Sequence, residues 1–194
     1  MPIEVLPLAK ERLGDYLDFF DRVAFTDNPD WAGCYCLFYH VPEREWEKRS
    51  GAQNREGAAA LVREGALTGF LAYEGGKPVG WCNANRKGRY ALLAGAPELW
   101  DPQEDGSRTL SVVCFVIAPG HRRRGIAGQL LSAVCAAAGA QGVERVEAYP
   151  RKDARTAAAH CHGPMEMYRG QGFEVHRELP NFWIVRKSLR SDPA

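Results

Sequence analysis

The chain of 194 residues is 45% hydrophobic and 25% charged, with a formal net charge of +1. That length gives ample core for a single domain over residues 1–194, and the balanced charge argues against general polyanion binding. Charge enters residues 1–16 too early for a signal peptide, and no run approaches the roughly 18 apolar residues of a membrane span.

Residues 3–8 read as a first strand, and residues 9–23 as a helix with Leu13, Tyr16, Leu17 and Phe20 along one stripe. A turn at residues 27–30 leads into WAGCYCLFYH, residues 31–40. Strand alternation there sets Cys34, Cys36 and Phe38 against Tyr35, Leu37 and Tyr39. Residues 44–65 are expected to be helical but segmented, with breaks at Ser50-Gly51-Ala52 and Glu56-Gly57. Residues 67–74 and 78–86 form a hairpin about Gly75-Gly76. A helical turn opens residues 90–100, and an acidic loop covers residues 101–107.

The central unit spans residues 109–150. An apolar run at residues 110–118 ends at Pro119-Gly120, and a basic turn follows at residues 121–125. A helical pattern comes next (Ile126, Leu130, Leu131, Val134, Cys135, Ala138), then a strand at residues 143–149. This is a strand, crossover helix and strand, in a sheet covered by helices. Three arginines stand before a helix start with no Ser, Thr, Asp or Asn cap before Gly125, so positive charge and free amides converge on one point. A phosphate-bearing ligand fits such a point better than an ordinary solvated turn does. The usual P-loop is excluded because Gly125 is followed by Ile-Ala, and the Gly-x-Gly-x-x-Gly of dinucleotide folds is absent. Beyond Pro150, residues 151–163 lack periodicity and carry His160, Cys161 and His162 together. A short helix at residues 165–169 and an antiparallel pair at residues 174–179 and 182–189 close the chain.

The stretch Arg122, Arg123, Arg124, Gly125, Ile126, Ala127 resembles the acetyl-CoA signature of the GNAT-type N-acetyltransferase superfamily (Gln or Arg, two residues, Gly, one residue, Gly or Ala). Its setting after Val116-x-x-Pro119 and before an amphipathic helix strengthens the likeness, as does the hairpin GFLAYEGGKPVGWCNA. The resemblance implies an α/β fold: a mixed, mostly antiparallel sheet flanked by helices, whose parallel fourth and fifth strands form the cofactor cleft. It implies acetyl-CoA contacts from Arg122, Arg123, Arg124, Gly125, Ile126, Ala127 and Gly128, with main-chain contacts from Val116 and Ile117. It also implies, through Tyr-x-x-x-Gly-Phe, that Tyr168 protonates the departing thiolate.

The acceptor and the base are less defined. Alternation in the fifth strand puts Arg145, Glu147 and Tyr149 on one face, which makes Glu147 the candidate base, with His160, His162, Glu74, Ser111 and Asp105 in reserve. Trp31, Tyr35, Trp81 and Asn83 are the candidate acceptor cleft, suited to a small-molecule amine. Cys34-x-Cys36 is not the usual zinc spacing and has no second ligand pair, so no metal is expected. The six cysteines sit mainly in apolar runs, which suits reduced thiols in a cytoplasmic protein. No recognition helix or basic, aromatic-interleaved run suggests nucleic acid. The reading is an acetyl-CoA-dependent N-acetyltransferase, monomer or homodimer. The alternatives are a non-catalytic acyl-CoA- or nucleotide-binding module and a protein-interaction domain.

Overall fold

The computed structural model describes residues 1–101, 103, 105–156 and 159–189. Pro102 and Glu104 of the acidic loop, and Ala157 and Ala158 of the 151–163 connection, lie outside the described residues. The strands are β1 (Ile3–Pro7), β2 (Gly69–Glu74), β3 (Lys77–Arg86), β4 (Thr109–Ile117), β5 (Arg145–Ala148), β6 (Glu174–Glu178) and β7 (Trp183–Ser188). They form one sheet in the order β1-β2-β3-β4-β5-β7-β6. Each pair is antiparallel except β4 and β5, which run parallel and need the crossover helix α5 (Ile126–Ala140) between them.

The hairpin between β2 and β3 turns at Gly75 and Gly76, with φ of 57° and 76°, values that favour glycine and fit the right-handed strand twist. Side chains of β3 then alternate between two cores. Gly80 faces α5, where an added Cβ would meet Ile117 and Ile126 at 3.0 and 3.2 Å. Trp81 faces the other layer, edge-on to Tyr16 of α1 (Leu13–Arg22) with ring centroids 5.1 Å apart. Of the expected α1 stripe, Tyr16 and Phe20 are buried and Leu13 and Leu17 half-buried, and Phe19 joins the buried face.

Two local expectations fail. Residues 31–40 are not a strand: they are short 3-10 turns at Pro29–Trp31 and Phe38–His40, joined by Tyr35 and Cys36 with φ of 45° and 49°. Such left-handed residues cannot continue a strand. Hydrogen bonds to distant elements hold them there. Tyr16 donates to the Tyr35 carbonyl at 2.5 Å, the Tyr35 hydroxyl to Asp21 at 2.6 Å, and Asn83 Nδ2 to the Cys36 carbonyl at 3.1 Å. Glu56-Gly57 does not break its helix either. After the one-turn α2 (Glu43–Trp46), α3 (Gly51–Arg63) runs unbroken from a Ser50–Gln53 capping box, a strong start signal. Two short helices remain, α4 (Ala91–Ala94) and α6 (Met165–Arg169). Among the described residues, no helix is long and apolar enough to cross a membrane.

Candidate active site

The site begins where two strands part. β5 pairs with β4 only over Thr109–Arg145, Leu110–Val146, Ser111–Glu147 and Val112–Ala148, while β4 continues to Ile117. The Ala118 amide bonds the Val79 carbonyl at 2.9 Å, and alternation along the antiparallel ladder therefore aims the Ile117 amide away from β3. On that side β5 no longer runs. A cleft of about 870 Å³ opens there, lined by Cys114, Phe115, Val116 and Ile117 from β4 and by Arg122 from the basic turn.

The turn is shaped by backbone. Gly125 caps α5 in the left-handed region (φ 77°) without a side-chain hydrogen bond, and Arg123 also has positive φ, 60°. A Cβ built on Gly125 or Gly120 would meet nothing within 4 Å, so the space over the turn is open. The amides that begin α5 therefore point outward with the positive end of the helix dipole.

The arginines are not three equivalent cations. The sequence shows no acid beside them, but folding brings two. Arg122 pairs with Asp27 through both terminal nitrogens, and its Nε donates to the Ile117 carbonyl at 3.1 Å. Arg124 reaches Glu74 at 2.5 Å, where His121 also bonds at 3.1 Å. The hydrogen bond from Arg124 is the main reason the Glu74 carboxyl lies below the usual range. Among the described residues Arg123 alone of the three has no ionic partner. Behind the turn, Gln171 Nε2 donates to the Gly128 carbonyl at 2.7 Å and ties α5 to the segment after α6.

The opposite wall is aromatic and polar. Phe20, Phe25, Trp31, Phe38, Tyr39 and Trp46 line it, with Asp27, Asp30, Glu47, Arg49 and Arg151 at its polar edge. Trp31 is thus at the cleft, while the three other candidate acceptor residues are under it. Trp81 is fully buried beneath α1. Tyr35 is buried with its hydroxyl committed to Asp21. Asn83 is fully buried as a hub: its Nδ2 lies 3.1 Å from the Cys36 carbonyl, 3.3 Å from Cys36 Sγ and 3.2 Å from His40 Nε2, and its Oδ1 accepts from Tyr90 at 2.9 Å. Trp81 and Asn83 share one face of β3, which α1 covers at Trp81 and the coiled 31–40 segment covers at Asn83.

Glu147 does not reach the cleft. It is fully buried; Oε1 takes hydrogen bonds from Lys87 at 2.5 Å and Tyr149 at 2.6 Å, and Oε2 from Arg186 at 2.6 Å. Residues 87–100 fold over this part of the sheet and supply Lys87, making Glu147 the centre of a buried ionic cluster. Burial, opposed by Glu147, holds the Lys87 pKa down.

Tyr168 is fully buried against Phe173, with ring centroids 5.2 Å apart. Its hydroxyl donates to the His162 carbonyl at 2.6 Å, directly behind the cleft wall that His162 and Cys161 form. Gly163 permits this approach: its φ is 79°, and a Cβ there would sit 3.0 Å from the Tyr168 hydroxyl. Burial raises the Tyr168 pKa well above 10, so the hydroxyl keeps its proton. Sequence reasoning left Cys114 and Cys161 without roles, and it missed Asp27 and Gln171. The last two act through partners 95 and 43 residues away, beyond any local signal.

The acetyltransferase (GNAT) family model matches residues 29–173. Among solved structures, the chain is similar to an N-acetyltransferase from Staphylococcus aureus Mu50 (12% identity, TM-score 0.59, covering 98% of this chain and 100% of that one). It is similar to yncA, a putative acetyltransferase from Salmonella typhimurium solved with its cofactor acetyl-CoA (13%, 0.55, 100% and 98%). A PaiA N-acetyltransferase from Thermoplasma acidophilum in complex with coenzyme A is also similar (15%, 0.54, 97% and 99%). Comparison with curated protein sequences gives no match. At these identities the solved structures speak for the fold, a mixed sheet with parallel β4 and β5 flanked by helices. The family model, spanning most of the chain, carries the membership: the chain belongs to the acetyltransferase (GNAT) family.

Proposed function

We propose that the protein is a single acyl-CoA N-acyltransferase domain over residues 1–194. It moves an acetyl group from acetyl-CoA to a primary amine of a small molecule by direct attack in a ternary complex. The observation that carries this reading is the wedge between β4 and β5, opening beside an uncapped helix start into one continuous cleft. The residues fit the donor. Open space over Gly120 and Gly125, outward amides of Ile126, Ala127 and Gly128, and the cations of Arg122, Arg123 and Arg124 suit a diphosphate. When bound, acetyl-CoA supplies an acetyl group activated as a thioester.

The chain's own groups do the rest. The peptide edge at Val116 and Ile117 aligns the pantetheine arm as a missing strand would. The Ile117 amide is placed to donate to the acetyl oxygen as negative charge develops there. The aromatic wall excludes water around the amine, and Asp30 and Glu47 favour a cationic acceptor. His162 is the basic side chain on the cleft wall able to receive the amine proton, in place of the sealed Glu147. Tyr168, held protonated one hydrogen bond behind that wall, releases its proton toward the leaving sulfur by leaving the His162 carbonyl. On this reading the protein is a cytoplasmic monomer or homodimer that acts on small amines rather than on nucleic acid or membrane.

The test is CoA release from acetyl-CoA across a panel of amines, with calorimetry of CoA binding alongside. Acetylation of at least one small amine is expected, with a Tyr168→Phe variant at least about tenfold slower in kcat and little changed in CoA affinity. CoA binding without transfer to any amine would make the protein a binding module. Absence of CoA binding would remove the reading altogether.

A further inference from the structure

Three arginines line the cleft: Arg49, Arg122 and Arg151. Arg122 is paired with Asp27 and Arg151 with Asp153, whereas Arg49 has no carboxylate partner among the described residues. It is nevertheless held in place. Its Nε donates to Asn54 Oδ1 at 2.8 Å and its Nη2 to the Gln53 carbonyl at 2.7 Å. Asn54 is 4% exposed and is fixed in turn by donating from Nδ2 to the Gly33 carbonyl at 2.8 Å. Those bonds leave both N–H groups of Nη1 without a protein partner among the described residues.

Gly57 makes the seat. It stands in the middle of α3, where glycine is a poor helix former, and a Cβ there would meet Arg49 Nη2 at 2.7 Å and Leu37 Cδ2 at 3.1 Å. The helix does not break there; it carries a guanidinium over its glycine. A cation held this way loses little side-chain freedom on meeting an anion, and its planar fork matches a carboxylate. To an acceptor bearing positive charge alone it would be a repulsive neighbour. The wall around it is mixed. Trp46, from α2, packs edge-on to Phe38 with ring centroids 5.2 Å apart, and Asp30 and Glu47 lie on the same wall. Both signs of charge beside aromatic rings suit a zwitterion with an apolar body.

We propose that the acceptor is an amino acid, a primary amine that also carries a carboxylate, and that Arg49 is the specificity-determining residue that binds the carboxylate. The inference rests on the acetyltransferase reading and names the substrate class of that same site. Arg49 takes the carboxylate and the aromatic rings take the apolar body, which leaves the amine for the thioester. Transfer then forms the N–C bond of an N-acetyl amino acid and breaks the C–S bond, and the amine gives up one proton as the departing sulfur gains one.

The experiment measures kcat/KM for amino acids paired with their own carboxamides. L-phenylalanine and its amide come first, then amino acids whose amine and carboxylate stand further apart. The amine of the amide is the less basic and the more readily neutral, so a preference for the acid runs against intrinsic reactivity. The acid is expected to be preferred by about tenfold or more in at least one pair. Arg49→Gln should bring that ratio towards one and Arg49→Lys should keep part of it, whereas a merely structural loss would lower both members of a pair and leave the ratio. Gly57→Ala displaces the guanidinium while favouring the helix, and should lower the ratio in the same direction. Calorimetry of the same pairs with CoA-loaded protein, where no acetyl group can move, should show the same preference. Amides used as well as acids, or a preference that survives Arg49→Gln, would overturn the proposal and leave acetyl transfer standing. No transfer to any amine would overturn both. Should the Arg49 variants fail to fold, the wild-type ratios and Gly57→Ala decide.

Discussion

His40 packs its ring against Tyr90 at 5.0 Å, and its Nε2 lies 3.2 Å from Asn83 Nδ2. Burial lowers its pKa from 6.5 to about 4, so the native ring is neutral and accepts from Asn83. An unfolded chain has an ordinary histidine. Above about pH 6.5 both states are neutral and the native contact costs nothing. As pH falls the unfolded state takes a proton that the native state refuses until about pH 4, and stability is lost across that window. Between pH 7.5 and 5 the loss amounts to roughly 2 kcal/mol from this residue. Urea denaturation of His40→Gln should lose less stability over the same interval, and equal losses in the two proteins would show that His40 is not the group responsible. Asn83, which binds the Cys36 segment and Tyr90 to β3, should cost about 2–3 kcal/mol when changed to Leu, because several buried partners lose their hydrogen bonds at once. The same denaturation measurements at pH 7.5 check it.

At the scale of elements, the start of α5 and the end of β5 make separable predictions. Gly125→Ala adds a Cβ that touches nothing within 4 Å, so its cost is the left-handed backbone, about 1 kcal/mol of stability. The methyl group would, however, stand in the open space assigned to the diphosphate. CoA affinity by calorimetry should drop by about tenfold or more, as a displaced backbone contact to phosphate implies. Glu147→Gln removes the carboxylate that Lys87 and Arg186 bond and leaves the Lys87 cation buried, and should destabilise by about 3 kcal/mol or more in thermal unfolding. Retained stability would mean the cluster relaxes into solvent.

These two elements also show what the sequence made legible. The α5 pattern, the Arg-rich turn and the β4 run are local and were readable from periodicity and capping. The ion pairs that fix Arg122 and Arg124 were not, because Asp27 and Glu74 lie 95 and 50 residues away. Alternation correctly put Glu147 and Tyr149 on one face, and the two side chains hydrogen-bond there. Alternation carries no information on whether a later segment covers that face, and residues 87–100 do. The coiled 31–40 segment misled for the converse reason: its aromatic, alternating pattern is strand-like, and only hydrogen bonds from α1 and β3 reveal the turn.

For the molecule as a whole, the wedge between β4 and β5 is a place where a sheet stops being a sheet. Main-chain groups of residues 113–117 on that side have no strand partner, so hydrogen exchange of peptides covering them should slow when CoA is added. Ligand at about 100 times its Kd adds about 2.7 kcal/mol to the folded state, which raises Tm by roughly 5–10 °C for a chain of this size. Unchanged exchange in this segment with a raised Tm would place the ligand elsewhere.

The insertion of β7 between β5 and β6 bears on how the protein is made. A ribosome emits the chain from its N-terminus, and β6 emerges with no neighbour of its own in the sheet, since β7 is the strand it pairs with. The nascent protein must therefore hold a gap beside β5 until Ser188 is free to close it. Release after residue 182 should strand a chain whose first five strands are paired but whose sixth is loose. In a translation-arrest series, protease resistance of β6 should appear only once the whole of β7 has left the tunnel.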